Sequence, residues 1–293
     1  MKEDTEKKKT RASLVSIIRL IFALLLLACS VLFLYFICTY VIQMAGNKKI
    51  KQSYELSETS MPVYINIDSD EDIAQEDEAS MEESQIAQKV LAISKEQVKS
   101  IYLGQPLKTY DYSGLANENQ DFRFWLDIPN TNISYPVVQS ADNDEYLRKT
   151  FDGNKRSSGS IFIDANIRDY QKSKNLIIHG HNMKSGSMFG ILPSYRNIDF
   201  YNRHPLIYLY TPSGVMVYQV FSCYTIPENI DETLVYRIAF ETDEEYVSFL
   251  ESLEQKSEIK TGVDLTSTRS LLTLSTCTNH GGSRFIVHAL RYQ

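Results

Sequence analysis

Hydrophobic and polar residues are unevenly spread along the 293 positions of the chain. Between Arg19 and Lys48 there are 28 residues without a charge, among them IFALLLLACSVLFLYFIC, more than the ~20 that span hydrocarbon as a helix. Residues 20–47 are therefore expected to form a transmembrane anchor. LLLAC resembles a lipoprotein cleavage box ending at Cys29, but the apolar run continues through Cys38 and outgrows the ~7–15 residues of a signal-peptide core. Further on, Ile86, Val90, Ile93, Val98 and Ile101 recur at helical spacing behind a capping-box pattern at Ser80 and Glu83, which predicts a helix. The pattern then turns to short runs rich in Val, Ile, Tyr, Phe and Thr: FRFWLDI, NISYPVVQ, GSIFIDAN, NLIIHG, PLIYLYT, GVMVYQVFSCYTI, SLLTLSTC and RFIVHAL. Eight strands separated by Asn, Pro, Gly and Ser turns predict a barrel or sandwich. Pro212-Ser213-Gly214 reads as a hairpin turn between two of them. TDEEYVSFLESLEQKSE interrupts the series, spacing Tyr246, Phe249, Leu250 and Leu253 as one face of a helix before the seventh strand.

Charge orients and divides the chain. Residues 1–19 carry six Lys/Arg, whereas only Lys48, Lys49 and Lys51 follow the apolar run closely, so the N-terminus is expected in the cytoplasm and the rest outside. Positions 52–85 hold eleven Asp/Glu and no Lys/Arg, a composition that repels itself and reads as an extended stalk. The expected organisation is a basic N-terminus at 1–19, the anchor at 20–47, the stalk at 48–85 and one folded domain at 86–293. That domain contains 21 basic and 23 acidic residues; it is near neutral and implies no nucleic-acid surface. No Walker loop, dinucleotide fingerprint or internal repeat is present, and no cofactor is expected.

Two cysteines lie outside the apolar run, Cys223 and Cys277. An even pair in a compartment that permits disulfides suggests a bridge. A domain of ~200 residues buries enough surface without one, and Cys223, among large apolar residues, suits a core position. In LLTLSTC, alternation places Leu272, Leu274 and Thr276 on one face and Thr273, Ser275 and Cys277 on the other. With the leucines in the core, Cys277 ends a strand on a polar face that a substrate can reach.

A reactive thiol needs a base, and histidine is its usual source. His280 lies in a Gly-rich turn near Cys277, His204 follows Arg203 in a polar turn and reads as solvated, and His288 falls within the last strand. IIHGHNM is the more informative stretch: Gly180 allows a bend at the end of an apolar strand, and a straight strand would put His179 and His181 on one face. His-x-His supplies only two metal ligands and nothing nearby completes a tetrahedral set, so no metal is expected. Arg284 opens the strand after Cys277, which sets the two side by side across an antiparallel pair. A guanidinium there offers several donors to an oxygen that becomes negative during acyl transfer.

TLSTC followed by RFIVH, together with GHNM upstream, resembles the sortases, the cysteine transpeptidases of Gram-positive cell surfaces. FRFWLDIPNTNISYPVVQSADNDEYL and SGSIFID are similar to the entry strands of the class B subgroup, and a helix between strands six and seven is also a class B feature. The resemblance covers roughly residues 85–293. It implies a mainly β fold, an eight-stranded sortase-type barrel with an N-terminal helix and the inserted helix, behind a single-pass membrane helix. It further implies Cys277 as nucleophile, His181 as general acid and base, and Arg284 as stabiliser of the oxyanion. Ser275, Thr276, Asn143, Leu147 and Tyr236 are implied as groove residues. The implied partners are secreted proteins bearing a C-terminal sorting signal and an amine of a lipid-linked peptidoglycan precursor or cell-wall peptide. Asn279 stands where some members carry an acidic residue, and His179 has no family role. A peptidase that only hydrolyses, and a silent sortase-like binding protein, are the alternatives.

Overall fold

The computed structural model describes residues 2–59, 104, 107–227, 231–266, 268–277 and 282–292. It divides into two units, Met1–Ile50 and Lys51–Gln293. The first is built on helix α1 (Lys2–Tyr54), in which Ile18–Cys38 has a mean hydropathy of 2.9 with no part buried. A helix apolar on every side has no face to turn to water, which is the property of a segment surrounded by lipid. Ser30 folds its hydroxyl back onto the Leu27 carbonyl at 2.7 Å, which satisfies that hydroxyl within the helix.

In the second unit β1 (Glu55–Thr59) pairs antiparallel with β2 (Leu107–Tyr110). Five residues of the acidic segment are thereby laid against the start of the domain. Residues 52–54 of that segment end α1, and the remainder from position 60, with the helix expected over Ser80–Ile101, lies outside the described residues. A short helix not expected from the sequence, α2 (Tyr112–Glu118), starts where the Asp111 carboxylate accepts the Gly114 N–H at 2.9 Å, the usual way an N-cap satisfies a free donor.

All eight expected strands are present: β3 (Phe122–Asp127), β4 (Ser134–Val138), β5 (Ile161–Ile163), β6 (Asn175–His181), β7 (Leu206–Thr211), β8 (Gly214–Pro227), β9 (Leu271–Cys277) and β10 (Ser283–Arg291). They close into a barrel in the order β10-β8-β7-β3-β4-β5-β6-β9, so that the barrel itself has no free edge. Pairing is parallel for β4 with β5 and for β6 with β9, and antiparallel elsewhere. The β7–β8 link is the expected hairpin turn, made by the two residues Pro212 and Ser213: Thr211 faces Gly214, and Gly214 has φ 137, a conformation that disfavours side chains. Inside the barrel Phe124, Leu126, Val137, Ile178, Leu209 and Leu274 are fully buried.

A second apolar layer lies on the outer wall. Helix α3 (Ile198–Arg203) packs its buried Tyr201 against the interior cluster, whereas the outer layer is built on α4 (Asp243–Gln255), the inserted helix in the long connection from β8 to β9. Its cap Thr242 accepts the Glu245 N–H at 3.1 Å, and Asp243, Glu244 and Glu245 fill its first turn, where negative charge suits the helix dipole. Tyr246, Leu250 and Leu253 pack with Phe221, Ile286 and Leu290 of β8 and β10. The polar face of β9 is not open along its length: Thr273 and Ser275 are both buried.

Candidate active site

The parallel register of β6 and β9 runs unbroken from Asn175↔Leu271 to His179↔Ser275 and His181↔Cys277. Leu272 and Leu274 point into the barrel, so alternation puts positions 273, 275 and 277 on the outer face, with His179 and His181 beside the last two. On its other side β9 pairs with β10 as Ile286↔Ser275. The same antiparallel register carried two places further sets Arg284 opposite Cys277. Phe285 N–H donates to Thr276 Oγ1 at 2.8 Å, clasping the strands at that level. His181, Cys277 and Arg284 thus form one row across three adjacent strands.

Gly180 does not bend the chain between the histidines, which corrects the sequence reading. It lies within β6 and faces inward, where an added Cβ would collide with Ile161 Cδ1 and sit 2.8 Å from Phe189 Cδ2. Glycine is there because the interior is full, and a straight strand keeps both imidazoles on the outer wall.

His181 and Arg284 open on a cleft of about 1860 Å³ that Thr276, Asn143, Leu147 and Tyr236 also help to line. His181 is buried, and its Nε2 lies 2.7 Å from the Leu147 carbonyl. A carbonyl only accepts, so Nε2 carries the hydrogen. Nδ1 is buried without a partner among the described residues and is left as the nitrogen that can take up or release a proton. Leu147 therefore serves through its backbone, at the end of a 3₁₀ turn (Glu145–Leu147) in the β4–β5 crossover. Ser275, expected in the groove, is covered; its hydroxyl shares a 2.7 Å hydrogen bond with that of Tyr236.

A second polar cluster lies one level along the same wall. His179 Nε2 is 3.0 Å from Asp164 Oδ2, the same oxygen accepts Asn143 Nδ2 at 3.0 Å, and Oδ1 accepts the backbone N–H and Nδ2 of Asn166 at 2.9 Å each. Burial alone would raise the Asp164 carboxyl, but the hydrogen bonds from His179 and Asn166 outweigh it and hold the group down at about 2. Nothing in the sequence flagged Asp164 as a site residue.

The other candidates fall elsewhere. Cys223 is free and wholly buried in the interior, on the opposite face of the wall from position 277, and burial with the nearby Glu258 pushes its thiol up to about 12. His204 is not simply solvated: Nδ1 bonds the Pro129 carbonyl at 3.0 Å and the ring packs 4.5 Å from that of Phe200. His288 is buried between Tyr224 Oη and Thr273 Oγ1, 3.0 Å from each. Burial and the Lys256 charge lower it to about 3, so it is a neutral packing residue at ordinary pH. Asn279 and His280 lie outside the described residues. Among the described residues no three His, Cys, Asp or Glu gather as a metal site.

A closed eight-stranded barrel with a histidine, a cysteine and an arginine in register along one rim has the layout of a cysteine acyltransferase. Comparison with known proteins makes the class specific. The Sortase domain family matches residues 126–292, and the chain belongs to the sortase family, the cysteine transpeptidases. It is 33% identical over 168 residues to Sortase B of Staphylococcus aureus (strain NCTC 8325 / PS 47), spanning 57% of this chain and 67% of that protein. To Sortase B of Listeria monocytogenes serovar 1/2a (strain ATCC BAA-679 / EGD-e) it is 36% identical over 163 residues, spanning 56% of this chain and 65% of that one. The X-ray structure of Clostridium perfringens sortase B superposes with a TM-score of 0.58 at 34% identity, covering 62% of this chain and 99% of that one.

Proposed function

We propose that this membrane-anchored sortase cleaves a C-terminal sorting signal after threonine, with Cys277 as nucleophile, His181 as general acid and base and Arg284 as oxyanion stabiliser, and passes the acyl group to a peptidoglycan amine. The observation that carries the assignment is the row of these residues across β6, β9 and β10. Attack of the Cys277 thiolate on the threonine carbonyl carbon gives a tetrahedral intermediate whose oxyanion lies beside the Arg284 guanidinium, a planar fork of donors that stays charged. On collapse the C–N bond breaks, His181 gives a proton to the departing amine, and a thioester remains. An incoming amine attacks the thioester and yields its proton to His181, which returns the thiolate and closes the cycle.

The lysine and arginine bias on either side of the apolar stretch of α1 supports a cytoplasmic N-terminus and an extracellular barrel. Anchored there, the enzyme meets both a secreted protein arriving across the membrane and a lipid-linked acceptor in the outer leaflet. The full-length protein in detergent micelles, incubated with a library of threonine-containing sorting-signal peptides and candidate amines, should give new amide products by mass spectrometry. Only the hydrolysed acid at saturating amine would contradict transfer, and no cleavage at all would return the chain to a binding role.

A further inference from the structure

We infer that His179, held by Asp164, determines specificity in the cleft by presenting a fixed hydrogen-bond acceptor to a donor-bearing side chain of the sorting signal, two residues from the attacked carbonyl. The inference rests on the function proposed above and adds to it that the peptide lies extended in the cleft with its scissile carbonyl at the His181–Cys277 level.

Three observations converge on it. The Asp164 carboxylate can only accept, so the hydrogen in the 3.0 Å contact belongs to His179 Nε2. In the neutral form of the ring, that tautomer leaves a lone pair on Nδ1. Among the described residues Nδ1 has no hydrogen-bond partner and, unlike Nδ1 of His181, it is not fully buried, while His179 and Asp164 both line the cleft.

The ring is also immobilised. Phe162 lies 5.3 Å away and Tyr236 5.9 Å away at a steep angle, and Tyr236 is itself bonded to Ser275, the strand partner of His179. Asp164 is held in turn by Asn143 and by both donors of Asn166. An acceptor on so constrained a support discriminates by hydrogen bonding, because a donor-free side chain strips water from Nδ1 and returns nothing.

Spacing names the position read. Residues two apart on a strand are separated by about 7 Å, and so are alternate side chains of an extended peptide lying along it. A peptide whose attacked carbonyl is level with His181 therefore brings to His179 the side chain two positions away. A pair that merely stapled the β5–β6 connection to β6 would have no such reach.

The test uses the full-length protein in detergent micelles and fluorogenic sorting-signal peptides varied one position at a time. The wild type should prefer amide or hydroxyl donors at that position. In His179→Gln the side-chain amide can still donate to Asp164, but its acceptor is now a flexible amide oxygen that no longer stands at the fixed ring position of Nδ1. Its kcat/KM on the preferred peptide should fall about 3- to 10-fold, through KM, while peptides without the donor are turned over as before. Asp164→Asn turns an amide donor toward Nε2 and moves the imidazole hydrogen to Nδ1, so its preference should shift toward acceptor-bearing side chains. Should Asp164→Asn fail to fold, His179→Phe, which keeps the ring packing and removes both nitrogens, takes its place and should match His179→Gln. An unchanged preference profile in His179→Gln, or no preference at that position in the wild type, overturns the inference alone. Failure of the wild type to acylate with any peptide overturns the functional reading and this inference with it.

Discussion

Two histidines two residues apart on one strand face the same cleft, and their partners give them different chemistry. His181 spends Nε2 on a carbonyl and keeps a buried Nδ1 at the level of Cys277, whereas His179 spends Nε2 on a carboxylate one level away. General acid–base catalysis contributes about 10²–10⁴-fold, so His181→Ala should lose at least that much in single-turnover acylation, and His179→Ala far less. The reverse order in the same stopped-flow experiment would move the catalytic assignment to His179. The shared face of the two histidines was legible from strand alternation, and so was the nearness of Cys277 and Arg284, because a six-residue link between strands leaves little choice. Leu147 and Asp164 were not legible in these roles. A backbone carbonyl has no signature in sequence, and the Asp164 contact depends on how β5 and β6 pair. Nor did the sequence reveal that His204 has a carbonyl partner 75 positions away.

At the scale of elements, the strands were the readable part, since each is a short apolar run between turn residues and the barrel buries its inner face. Helix α4 was equally plain from its spacing, while α2 escaped because seven residues held by an Asp111 cap show too little periodicity. Gly180 was misread because what excludes a side chain there comes from other segments. With the Phe189 ring only 2.8 Å from where an added Cβ would sit, Gly180→Ala should cost about 1–3 kcal/mol and misplace both histidines, lowering the urea midpoint and the acylation rate together; an unchanged midpoint would show that the wall gives way. The α4 layer makes a second prediction. His288 is lowered from 6.5 to about 3, so below pH 6.5 the unfolded chain takes up a proton that the folded one refuses. Stability should therefore be full above that pH and fall by about 1.4 kcal/mol per unit as pH drops toward 3. His288→Gln should flatten this slope in urea titrations. The same slope in both proteins would assign it to other groups. Asp164 acts in a lower window: it lends stability above its ordinary 3.8, and this is lost as pH falls toward 2.

For the whole molecule, the apolar helix and the barrel divide the work between location and chemistry. A chain shortened to residues 51–293 keeps the entire compact second unit. It should leave the membrane fraction yet cleave soluble peptides at the full rate, whereas acylation of a substrate embedded in vesicles should suffer. Retained membrane association would point to a further lipid-binding surface on the barrel. The boundary between stalk and domain was the least readable feature of the organisation: its acidic composition marks where a core cannot form, but β1 pairs with β2 through backbone hydrogen bonds that charge patterns do not predict. The central claim, that this is a transpeptidase working through a thioester on Cys277, is met most directly by intact-protein mass spectrometry of the full-length chain quenched in acid during turnover of a sorting-signal peptide. The account predicts an added mass equal to the acyl fragment ending in threonine, mapped to Cys277, discharged by an amine and absent from Cys277→Ala. Turnover without such an adduct, or an adduct on another residue, would contradict it.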